Sequence, residues 1–169
     1  MREKLWLVTI CVLLSASFAH AQTPATCPST KTLDDFVKAL DDAVSGPGDK
    51  DRTCMRQLFV ADGRLIPIVK AKDGTIEPRT LTVDDWITRI KAHGSDPFYE
   101  HQIKYSSAVY GHMAHLWSTY EIRPTPDGKV EVRGINSIQA VFDGTAWKAI
   151  EIVWQAETAD TPIPSKYLP

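Results

Sequence analysis

The chain has 169 residues, 43% hydrophobic and 24% charged, with a formal net charge of −2. That length suits one packed domain, and the near-neutral balance without a basic stripe argues against a nucleic-acid partner. The three cysteines and five histidines show no CxxC, HxH or HExxH spacing, so no metal site and no cofactor is expected.

The first element is an export signal. Arg2 and Lys4 precede an apolar run from Leu5 to Leu14, and small residues lead to Ala19-His20-Ala21, which predicts cleavage after Ala21. The run is too short to span a bilayer. Cys11 lies inside it behind bulky Ile10, which argues against lipidation. A periplasmic or secreted protein without a stable membrane anchor is therefore expected. Removal of residues 1–21 leaves 148 residues, with 17 basic against 20 acidic side chains. Cys27 and Cys54 remain, an even pair in an oxidising compartment, and the pattern predicts a disulfide between the arm (22–31) and a second helix.

The domain proper is expected over 32–157. Leu33, Phe36, Val37, Leu40 and Val44 form one apolar helical stripe, capped by Thr32 with Asp35 three residues on and stopped by Gly46-Pro47. A short second helix is predicted from about Asp51 to Phe59. The segments Arg64–Val69 and Thr75–Leu81 flank Lys72-Asp73-Gly74, a turn signal. Pro67 and Pro78 predict a small, irregular edge hairpin. A third helix follows Thr82, carrying Val83, Trp86, Ile87 and Ile90 on one face and ending at Gly94.

After Pro97 the pattern changes to four strand-like runs, about 98–110, 112–123, 130–142 and 146–157, with turns at Gly111, at Pro124–Gly128 and at Asp143-Gly144. They predict an antiparallel meander. The tail 158–169 is proline-rich and extended, with Ile163, Tyr167 and Leu168 available to dock it.

This order, helix-helix-hairpin-helix-meander, resembles the nuclear transport factor 2-like superfamily. The runs Gly111-His-Met-Ala-His-Leu-Trp-Ser-Thr-Tyr-Glu121, Arg133-Gly-Ile-Asn-Ser-Ile-Gln139, Trp147-Lys-Ala-Ile-Glu-Ile-Val-Trp-Gln-Ala-Glu157 and Pro162-Ile-Pro-Ser-Lys-Tyr-Leu168 look like those of its SnoaL-like group of bacterial proteins. The resemblance implies an α+β fold: a cone-shaped, strongly curved antiparallel sheet with three helices on its concave face. In that superfamily the cone accepts a small apolar or amphipathic molecule. Its members include isomerases, dehydratases and binding modules without chemistry, so the fold carries little functional weight.

Strand parity sorts the candidate site residues. In one run Met113, His115, Trp117, Thr119 and Glu121 share a face, opposite Ala114, Leu116, Ser118, Tyr120 and Ile122. In the last strand Trp147, Ala149, Glu151, Val153 and Gln155 oppose Lys148, Ile150, Ile152 and Trp154. Every face is partly apolar. One side is expected to line the pocket and the other to pack on a partner subunit or the tail.

The pocket candidates are Trp86, His115, Trp117, Tyr120, Asn136, Gln139 and Trp154. Asn136 and Gln139 have opposite parity, so at most one enters the cone, and Asn136 after Gly134 has the alternative of serving a bulge. His115 reads as an acid/base group in an aromatic pocket or as a hydrogen-bonded structural histidine; His112 reads as exposed. Glu151 reads as a general base or as half of an ion pair with Arg133. Glu100-His101 and Glu157 sit near the rim or on the surface.

Three functions follow. The first is an exported, homodimeric domain binding a small amphipathic molecule. The second is a cofactor-free lyase or isomerase using His115 with Tyr120 or Glu151. The third is a structural or dimerisation module without chemistry.

Overall fold

The computed structural model describes residues 27–169; the expected export signal and the first residues of the arm lie outside the described residues. Helix α1 (Leu33–Val44) starts where the Thr32 hydroxyl accepts the Asp35 N–H at 3.1 Å. It buries Phe36, Val37 and Leu40, and stops before Gly46, whose φ of +106° strains any side chain. The chain leaving α1 is tied together by Arg52. Its buried guanidinium donates to the carbonyls of Val44, Pro47, Gly48 and Lys50 at 2.9–3.2 Å, satisfying a helix end and the short strand β1 (Gly46–Pro47). The second helix is a 3-10 turn, Thr53–Leu58, which buries Met55 and Leu58.

Strand β2 (Phe59–Lys70) corrects the expectation of a small edge hairpin. It runs parallel to β8 (Trp147–Ala156) through Leu65↔Ile152 and Pro67↔Trp154, and pairs on its other side with β3 (Ile76–Pro78) and β4 (Leu81–Thr82). Pro67 is tolerated because pairing with β8 ends there and pairing with β3 begins at Ile68. Only β3 is an edge. Helix α2 (Val83–Lys91) begins with a reciprocal capping box between Thr82 and Asp85.

Strands β5 (Pro97–Tyr110), β6 (Met113–Arg123), β7 (Val132–Phe142) and β8 form the antiparallel meander in that order. Two single-residue bulges bend it, one at Ile103 in β5 and one at Ile150 in β8. Each resets the alternation. Ala149 and Ile152, three residues apart, both enter the core, so Glu151 and Val153 do not share a face with Trp147 and Ala149 as strict parity predicts. No bulge forms at Asn136, where the register with β6 and β8 is continuous.

The concave face packs Leu65, Leu116, Ile138 and Ile152 against Phe36 and Leu40 of α1 and against Met55 and Leu58. The convex face is covered by the tail. Tyr167 lies 5.7 Å from the Trp117 ring, and its carbonyl accepts the Thr119 hydroxyl at 2.6 Å. Glu157 accepts the Ile163 N–H at 2.9 Å while pairing with Arg133 at 3.0 Å. The tail thereby shields the convex face around Trp117 and Thr119, while Met113 and Gln139 stay exposed.

Cys27 and Cys54 are bonded, closing a loop with a sequence separation of 27. Cys54→Ser is expected to lower the unfolding free energy by roughly 3–4 kcal/mol. Urea denaturation of the mature chain reads this, and a change under about 1 kcal/mol would show that the 3-10 turn holds without the bond.

Candidate functional site

The open end of the cone is built from the start of β5, the end of β6, the start of β7 and the end of β8. Their inward side chains, with Leu40 and Val44 of α1, Met55 and Trp86 of α2, enclose a cavity of about 90 Å³. Leu40, Met55, Phe59, Ile138 and Ile152 form a buried floor, whereas Trp86, Phe98, Ile122 and Trp154 keep partial exposure and mark the mouth. Trp86 and Trp154 meet edge to face at 5.2 Å.

Into this apolar space projects one acid. Glu100 is partly buried as a residue, but its carboxyl end is enclosed. Oε1 accepts from Gln102 Nε2 at 3.1 Å and from Asn136 Nδ2 at 3.3 Å, leaving Oε2 without a hydrogen bond. Gln102 is held in turn by the Ser118 hydroxyl, which donates to its Oε1. Tyr120 completes the wall. A Cβ at Gly134 would collide with the Tyr120 ring, so the glycine across the strand pair makes room for it.

Helix α1 fixes this acid from behind by standing in for a missing strand. The Ser45 hydroxyl accepts the Glu100 N–H at 2.8 Å and donates to the Glu100 carbonyl at 3.0 Å. Asp41 accepts the Gln102 N–H at 2.9 Å and lies 3.5 Å from exposed His101. The edge of β5 is thereby sealed where the cavity begins.

Burial, reinforced by the charge of Asp41, raises Glu100 to about 7 against the pull of its two carboxamide donors. Burial likewise raises Asp41 to about 6, although the Gln102 hydrogen bonds and His101 oppose it. Tyr120 is raised by burial and then by Glu100. Among the described residues no lysine, arginine or histidine lines this cavity.

Of the pocket residues expected from sequence, Trp86, Tyr120, Asn136 and Trp154 meet here. His115, Trp117 and Gln139 do not. His115 is on the convex face, 3.1 Å from the Ser137 hydroxyl and edge-on to Trp117, and Gln139 is exposed there. Glu151 is also convex, and its partner is Arg64 at 3.0 Å, not Arg133, which binds Glu157. His115 and Tyr120 therefore point away from each other, and the strand of Gln139 separates His115 from Glu151. Trp117 and Trp154 instead share a second groove of about 420 Å³ beneath the tail, with Ile135, Val153, Ile163 and Tyr167. Among the described residues no group of three His, Cys, Asp or Glu is placed to hold a metal.

Sequence reasoning set Glu100 at the rim or on the surface and did not recognise it, with Gln102 and Asp41, as the polar centre. A signal was present: Phe98, Glu100 and Gln102 share one parity, and Asp41 interrupts the apolar stripe between Val37 and Val44.

No protein-family profile matches the chain, and no curated protein matches it in sequence. Solved structures do. A protein from Kribbella flavida superposes with a TM-score of 0.55 at 13% identity, covering 75% of this chain and 88% of its own. The beta subunit of a putative aromatic-ring-hydroxylating dioxygenase from Novosphingobium aromaticivorans gives 0.54 at 17% identity, covering 78% and 94%. An NTF-2 like protein of unknown function from Silicibacter pomeroyi gives 0.52 at 15% identity, covering 74% and 92%. The chain has the nuclear transport factor 2-like fold. Its cone places Glu100 on the first long strand of the meander, at the open end.

Because Glu100 holds its proton to higher pH when folded, its contribution to stability is present below about 4.5 and is lost as pH rises through about 7. Glu100→Gln, which cannot ionise, is expected to match the wild type near pH 4 and to exceed it at pH 8, by at most about 3 kcal/mol. Thermal unfolding of both proteins across that range checks this, and parallel profiles would contradict it.

Proposed function

We propose that the chain is an exported binding domain that takes a small amphipathic molecule into the mouth of its cone. The observation that carries this reading is the free Oε2 of an enclosed Glu100 in an apolar, tryptophan-walled cavity. The Trp86 indole N–H, buried without an acceptor among the described residues, adds an unpaired polar group to the same wall. The apolar floor takes the body of the molecule, and the acid fixes its polar end.

The Ala19-His20-Ala21 leader and the Cys27–Cys54 bond support export to an oxidising compartment. No helix among the described residues is long and apolar enough to cross a membrane. Exposed Val109, Tyr110 and Met113 around the β5–β6 turn support pairing of two copies, since the tail occupies the sheet face around Trp117.

A second reading is a cofactor-free isomerase or lyase. One observation favours it: a carboxyl poised at about 7 is matched to proton transfer near neutrality. In that case Glu100, and not His115 or Glu151, is the acid/base group.

Ile122→Trp fills the mouth from a partly exposed position and is expected to weaken ligand binding by about tenfold or more, with little change in melting temperature. Fluorescence titration of Trp86 and Trp154 with small amphipathic compounds reads it. Binding unchanged by the substitution would place the ligand elsewhere. Mass spectrometry of the exported protein is expected to find a chain beginning at Gln22 with the disulfide intact.

A further inference from the structure

Among the described residues the cone holds one carboxyl and no basic side chain to pair with it when it ionises. Glu100 Oε1 receives two carboxamide N–H donors, which favour the ionised form, while Oε2, on a side chain that lines the cavity, has no hydrogen bond among the described residues. Asp41, bonded to the backbone of Gln102, adds a second carboxyl behind the first. The nearest basic group bound to this cluster, His101, stands on the exposed side of Asp41. The remaining walls present aromatic rings, Trp86, Phe98, Tyr120 and Trp154, whose faces attract cations.

A buried carboxylate is paired, neutralised or given a cation from outside. In a domain that needed only packing, an apolar residue at this position would be the less costly solution. A carboxylate ligand would meet two acids, and a neutral one would leave the charge unanswered.

We propose that the cone is selective for a small organic cation, a primary amine with a compact apolar body, whose ammonium group donates to Glu100 Oε2 and packs against the Trp86 and Trp154 rings. This rests on the cone being the binding site and adds the charge of what enters it. The small cavity limits the body to a few carbon atoms.

Isobutylamine, isobutanol and isobutyrate share a skeleton and differ in charge, so calorimetric titration of the three at pH 8 isolates the inference. The amine is expected to bind roughly tenfold or more tightly than the alcohol, and the carboxylate most weakly. Glu100→Gln should bring amine and alcohol to within about threefold of each other, with a circular dichroism spectrum like that of the wild type. The wild-type series decides the matter even if that variant folds poorly. Equal binding of amine and alcohol, abolished for both by Ile122→Trp, would overturn the cation preference and leave the cone as the site. Tightest binding by isobutyrate would overturn it too, and binding by none of the three would overturn both readings.

Discussion

A sheet with two apolar faces has to be covered twice, and the rest of this molecule follows from how that is done. The helices cover the concave face and the tail covers the convex one around Trp117, so the strands must curl around α1 while leaving a path for residues 158–169 outside. The bulges at Ile103 and Ile150 supply the bend. Curling exposes the edge of β5, and α1 answers with side chains: Ser45 and Asp41 bond the backbone of Glu100 and Gln102. The seal that completes the cone also fixes which way Glu100 points.

That arrangement gives the acid its character. Its surroundings disfavour charge, while Gln102 and Asn136 hold one oxygen as they would hold a carboxylate. Burial outweighs the two donors, which is why the group is raised to about 7. Asp41 keeps it there, since a second carboxyl nearby makes ionisation of the first less favourable. A residue serving only to hold the fold would have been paired with a cation, as Glu151 is with Arg64 and Glu157 with Arg133 on the convex face. The contrast between the two faces sets the concave acid apart from the paired acids of the convex one, and the proposed function rests on that difference.

Much of the fold was legible because its signals are local. The caps at Thr32 and Thr82, the turn at Gly111 and the long runs of the meander each depend on neighbours a few residues away. What could not be read was non-local. The parallel partnership of β2 with β8 joins residues 87 apart at Arg64 and Glu151, and nothing in either segment names the other. A single inserted residue, Ile150, is marked by neither glycine nor proline, yet it turns Glu151 away from the core side. Trp86, Tyr120, Asn136 and Trp154 were recognisable as pocket residues. His115, Trp117 and Gln139 sat on the other face, which looked equally apolar because the tail covers it. The acid at the centre was read only as a rim or surface residue because a glutamate near a strand's start ordinarily belongs to the surface.

The central claim is that Glu100 is an enclosed carboxyl with no cation of its own. Carbon-13 NMR titration of the glutamate side-chain carboxyls, with Glu100 assigned by its loss in Glu100→Gln, measures this directly in the ligand-free protein. A midpoint at about 7 is the result the account requires. A midpoint at the ordinary value of 4.5 would mean that the group is solvated or paired, and the cone would lose its polar centre.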